Sequence, residues 1–138
     1  DNGNAYVRLV AGQLLGATGP AHTYTSIIAA HISLKNKSHI EIPVPRDHNT
    51  FVHVLDGEIK VGTNKQVSGG SLVLFKADGD FIEIKTGENS QISNILLLSG
   101  KPINEPVVTY GPFVMNSEEE IKQAYADYQQ GKMGKIDF

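Results

Sequence analysis

No cysteine occurs anywhere in the 138 residues. That absence rules out a disulfide framework, a thiolate metal site and a cysteine nucleophile. A basic surplus is also missing. Twelve Lys and Arg stand against 15 Asp and Glu, for a formal net charge of -3 and a pI near 5.9. The chain therefore lacks the electrostatic footprint of a nucleic-acid binder. The five histidines add charge only below about pH 6.5. The apolar runs fall far short of the roughly 18 residues that suggest a membrane span, and no secretory leader pattern appears. The expected location is intracellular: cytoplasmic, or also nuclear in a eukaryote. No Gly-x-Ser-x-Gly elbow, P-loop or Rossmann fingerprint is present. Internal repeats and low-complexity tracts are absent too. The chain opens on Asp1 rather than methionine, which reads as a piece of something longer.

What is present is punctuation. Fourteen glycines and six prolines break the chain into short β-rich runs, the pattern of a sandwich or barrel. Ala5–Ala11 reads as a first strand. Ser26–Leu34 reads as a second, with Ile28, Ala30, Ile32 and Leu34 on one face and His31 and Ser33 on the other. Ile40–Ile42 follows. Phe51–Leu55 and Glu58–Gly62, flanking Asp56-Gly57, read as a hairpin. Leu72–Phe75 reads as a short buried strand and Phe81–Lys85 as the next. Gly87-Glu88-Asn89 is a turn, and Ile92–Leu98 a further strand. Eight or nine strands at this spacing predict an all-β jelly-roll barrel, covering residues 1–116. From Ser117 the grammar changes. Ser117-Glu118-Glu119-Glu120 has the capping-box pattern, and Ile121, Ala124, Tyr125 and Tyr128 form one helical stripe. A helix is expected from about Ser117 to Gln130, stopped at Gly131, with residues 117–138 as helix and tail. Its stripe is a candidate interface, packed on the barrel or docked on a neighbouring domain or chain.

The stretch Pro43–Gly62 carries the most information about chemistry. Ending in Val54-Leu55-Asp56-Gly57, it resembles the first motif of the cupin superfamily, whose fold is a double-stranded β-helix. In metal-binding members that motif supplies two histidines and a glutamate, which hold a divalent metal and leave positions open. Registered on Gly57, the glutamate slot falls on Thr50. The histidine slots fall on Val44 and Arg46, or on Pro43 and Pro45. A further histidine slot, from the second motif, falls near Phe81 or Ile82. None of these residues supplies the expected ligand. His48 and His53 are the nearest substitutes. His53 has the strand parity opposite to Thr50 and should point to the wrong face. His48 precedes the strand and reads as an exposed loop residue. His31, His53 and Glu83 could converge only if three strands present one face; the plainer reading is a half-polar sheet exterior. His22 and His39 carry no signal.

The chain from Asn94 to Asn116 is the most distinctive text. Leu96–Val108 (LLLSGKPINEPVV), Tyr110–Asn116 (YGPFVMN) and Glu119-Glu120-Ile121-x-Gln123-Ala124 resemble the carboxy-terminal domain of the pirin family. Val7–Gly12 and Phe51–Gly57 support the match. The resemblance implies a two-domain parent protein with a single iron, held by three histidines and a glutamate in an amino-terminal cupin domain outside this sequence. It implies no metal in this domain. It also implies association with quercetin 2,3-dioxygenase activity, with transcriptional co-regulation in eukaryotes and with enzyme binding in bacteria. The expected partners are the amino-terminal cupin domain or a second chain, and other proteins, with no direct nucleic acid or membrane. The chain alone is expected to be non-catalytic. The alternatives are a role within an iron-dependent flavonol dioxygenase, or a metal-free barrel binding a small ligand.

Overall fold

The computed structural model describes residues 4–87 and 89–135. Glu88 of the expected turn, the first three residues and the last three residues of the tail lie outside the described residues. The chain divides into two compact units, Asp1–Pro102 and Ile103–Phe138.

The first unit is built on two sheets. The larger contains β1 (Ala5–Ala11), β4 (Ile27–Lys35), β6 (Asn49–Asp56), β9 (Leu72–Leu74) and β11 (Ile92–Gly100), in the order β1-β4-β11-β6-β9. The smaller contains β5 (His39–Pro43), β7 (Glu58–Val61), β8 (Lys65–Ser68) and β10 (Phe81–Thr86), in the order β5-β10-β7-β8. Two very short strands, β2 (Gln13–Leu14) and β3 (Ala17–Thr18), form a separate ribbon. All the named pairings are antiparallel. The all-β jelly-roll expectation holds, with a carboxy-terminal helix.

Strand parity places the core. On β4 the expected set Ile28, Ala30, Ile32 and Leu34 is buried, and His31 and Ser33 alternate with it. The apolar run of β11 also alternates: Ile95 and Leu97 are fully buried, while Leu96 and Leu98 face outward. These side chains meet Val52 and Val54 of β6, Ile42 of β5, Ile59 of β7 and Ile84 of β10 in one apolar cluster. Each such burial is worth roughly 1.5–3 kcal/mol relative to exposure. β11 is a central strand, paired with β4 on one side and β6 on the other.

Three expectations need correction. Asp56-Gly57 does not close a hairpin. β6 pairs with β11 and β9, and β7 pairs with β10 and β8, so the chain changes sheets there. Gly57 makes the corner with φ +76, and Ser93 ties it down: the Glu58 N–H donates to Ser93 Oγ at 3.1 Å, and that hydroxyl donates to the Glu58 carbonyl at 2.7 Å. Secondly, the strand at Leu72 is not buried. β9 ends the five-stranded sheet, and Leu72 and Leu74 face solvent while Val73 turns toward the core. Thirdly, the expected strands leave out β8, which pairs with β7.

The second unit is a ribbon and a helix. β12 (Val108–Tyr110) pairs with β13 (Phe113–Met115) across the Gly111-Pro112 turn. The helix α1 runs Glu118–Gln129 with Ser117 as N-cap, and both halves of the capping box are formed with Glu120. Gly131, at φ +70, follows the C-cap residue Gln130. The stripe packs on the ribbon of its own unit. Ile121 and Ala124 are buried, Tyr125 meets Tyr110 at a tilt and Phe113 edge-on at centroid distances of 5.5 and 5.0 Å, and Tyr128 meets Phe113 at 6.3 Å while remaining exposed.

Candidate functional site

The ligand slots of the cupin motifs, Arg46 and Pro43 excepted, come together at one end of the barrel. Val44, Thr50, Phe81 and Ile82 line a single cavity of about 90 Å³, with His48, Pro45 and Phe75. Arg46 does not line it: its guanidinium is exposed and lies 3.5 Å from Asp80. The cavity wall is thus mostly apolar, with the Thr50 hydroxyl and the His48 imidazole among its polar groups, and it is completed by Lys76, Ala77, Asp78 and Gly79.

His48 differs from the exposed loop residue expected before the strand. It is buried, 4% exposed, rather than a loop residue in solvent. A turn in which the His48 N–H donates to the Pro45 carbonyl at 3.1 Å brings it round. From there it shares the inward parity of Thr50, Val52 and Val54. Its Nδ1 lies 3.0 Å from Ser99 Oγ and its Nε2 lies 3.1 Å from Ser26 Oγ. Ser99 Oγ is in turn 2.8 Å from Thr50 Oγ1. One consistent arrangement has Ser26 donating to Nε2, Nδ1–H donating to Ser99, and Ser99 donating to Thr50. Beside this chain, the Lys101 ammonium 2.9 Å from Asp47 ties the turn to the end of β11 and holds the Asp47 carboxyl below the usual aspartate range.

A divalent iron held by a cupin needs several imidazole and carboxylate donors converging on one point. Here the slots offer Val44, Thr50 and Phe81 or Ile82, and both nitrogens of the single imidazole are taken by hydroxyls. The donor set of this cavity does not fit such an ion.

His31 and His53 share the outward face of the five-stranded sheet. The register lines up Arg8, His31, Leu96, His53 and Leu72 across all five strands. A whole strand separates the two histidines, which at ~4.8 Å per strand puts them roughly 10 Å apart, too far to share a ligand. Glu83 is not with them. It lies on β10 in the other sheet, directly opposite Glu41, and its Oε1 contacts His39 Nε2 at 2.7 Å and Lys85 Nζ at 2.9 Å. His39, read as silent, is therefore part of a cluster. Residues His39 and Glu41, two apart on a strand, could have signalled it by shared parity.

The Lys85 hydrogen bond is the main reason the Glu83 carboxyl lies below the usual glutamate range; His39 adds to it and partial burial opposes it. Because the native value is depressed, this ion pair stabilises the fold above the ordinary glutamate range, and the contribution disappears as pH falls through the native value. In an NMR titration, Glu83 is expected to protonate at lower pH than exposed glutamates, and Lys85→Met should raise its midpoint. An unchanged midpoint would show that the pair does not form in solution.

Comparison with known proteins adds a family match. The Pirin C-terminal cupin domain profile matches residues 29–134. A pirin-like protein of Solanum lycopersicum is 37% identical over 131 residues, covering 93% of this chain and 44% of the relative. Human pirin is 28% identical over 130 residues, again covering 93% and 44%. A quercetin 2,3-dioxygenase structure from Acinetobacter baumannii superposes with a TM-score of 0.86 at 31% identity, over 99% of this chain and 46% of that one. The chain thus spans less than half the length of each of these relatives. No helix among the described residues is long and apolar enough to cross a membrane.

Proposed function

The chain belongs to the pirin family through its carboxy-terminal cupin domain, and from that premise we propose that it is a non-catalytic cupin half. It supports an iron-bearing amino-terminal cupin half and offers a surface to protein partners. The observation that carries this reading is the cavity at the barrel end, where the cupin ligand slots hold Val44, Thr50 and Phe81 or Ile82 and where Ser26 and Ser99 occupy His48. The iron chemistry belongs to the other half, which joins this one in the parent protein or comes from a second chain. Exposed Val107, Tyr110, Val114 and Tyr128 in the ribbon-and-helix unit support the protein-binding part, since clustered apolar exposure favours association. The acidic balance speaks for protein rather than nucleic-acid partners.

Oxygen uptake with quercetin and ferrous iron tests the division of labour. The chain alone should give none, and the chain joined to an amino-terminal pirin half should give turnover if the parent protein is a flavonol dioxygenase. Turnover by the chain alone, abolished by His48→Ala, would overturn the proposal. The dioxygenase reading for the parent protein draws its support from the Acinetobacter match. A metal-free ligand-binding barrel has one feature in its favour: a hollow of about 500 Å³ lined by Gln13–Thr18, Ile28, Pro43–Pro45 and Asp80. A mass shift for this chain in native mass spectrometry would support it.

A further inference from the structure

We propose that the four-stranded sheet carries a site for a divalent transition-metal ion, made by His39, Glu41 and Glu83. His39 and Glu41 are two residues apart on β5 and so share one face. The antiparallel register sets Glu41 directly opposite Glu83 on β10. One donor atom from each of the three lies within 4.8 Å of the other two, and the closest pair, His39 Nε2 and Glu83 Oε1, is at 2.7 Å.

Two features suit this cluster to a cation. Carboxylates directly opposed on neighbouring strands repel each other, so the Glu41–Glu83 position is stabilised by positive charge between them. That charge is only half supplied. Lys85 bonds to Glu83 at 2.9 Å, but Glu41 has no ion-pair partner among the described residues. An ion seated among the three would serve both carboxylates and take up the imidazole nitrogen, displacing Lys85 from Glu83.

The donor types select the ion. Imidazole with carboxylates suits zinc and its first-row neighbours, whereas calcium and magnesium favour all-oxygen sets. The cluster is half exposed, so water completes the coordination. β5 is the edge strand of its sheet, and the ion would cross-link it to β10. The site lies in a different sheet from Thr50, uses none of the residues of the barrel-end cavity, and stands or falls independently of the proposed function.

Isothermal titration of the tag-free chain with zinc chloride, and in parallel with magnesium chloride, tests the site. The expected result is one saturable zinc per chain and no saturable magnesium. His39→Ala and Glu41→Gln should each weaken zinc binding at least tenfold. Lys85→Met, which removes the competitor for Glu83, should tighten it severalfold, while the same charge change at Lys65→Met should leave it within twofold. No saturable zinc uptake, or uptake indifferent to His39→Ala and Glu41→Gln, would overturn the proposal.

Discussion

His48→Ala is expected to destabilise the barrel unit by about 3 kcal/mol, read as a lower urea midpoint at unchanged slope. Two losses combine. Truncating a side chain that is 4% exposed leaves a cavity that the sheet can only partly fill. It also removes the partner of buried Ser99, whose remaining bond is to Thr50. Ser26 is exposed and recovers a bond from water, so its loss adds little. His48→Gln, which keeps a polar head in the pocket, should recover roughly a third to a half of the loss. A loss under about 0.5 kcal/mol for His48→Ala, the range of an ordinary surface substitution, would mean that the hydroxyl–imidazole chain does not form.

Gly57→Ala should be comparably damaging, at about 3 kcal/mol, for a different reason. The residue sits at φ +76, where a Cβ costs about 1–2 kcal/mol. That Cβ would also lie 2.5 Å from the Ile92 carbonyl oxygen and 2.8 Å from Ser93 Cα, both backbone atoms that a rotamer change cannot move. Separating β6 from β11 at this corner would disturb the Ser93–Glu58 bonds as well. By contrast, Gly62 has φ +54 but open space around it, so Gly62→Ala should show only the strain component. Equal effects at the two positions would show that the close approach to β11 contributes nothing.

Period-two and capping signals were the legible ones. Ile28 to Leu34 announced the buried face of β4, and Ser117 with Glu120 announced the helix start, because both depend on residues close in sequence. Gly57 was legible as a turn but not as a change of sheet, since the same Asp-Gly pair serves either purpose and only the long-range pairing with β11 decides. Leu72 and Leu74 looked like core residues because apolar character says nothing about whether a strand is the last in its sheet. The empty cupin slots could be read by registering on Gly57. His48 could not, because it precedes the apolar strand signal that starts at Phe51. Continuing the parity of Val54, Val52 and Thr50 back by two residues would have turned it inward. The meeting of His39 with Glu83 depends on the register of two strands some forty residues apart, which neither strand encodes alone.

Iron retention distinguishes a barrel end without a metal site from one that holds iron. The chain, and its His39→Ala and His48→Ala variants, would be loaded anaerobically with ferrous iron, desalted, and measured by elemental analysis. No tightly held iron is expected at the barrel end. Any residual iron should fall with His39→Ala and be indifferent to His48→Ala. Stoichiometric iron that survives His39→Ala and is lost with His48→Ala would contradict that expectation.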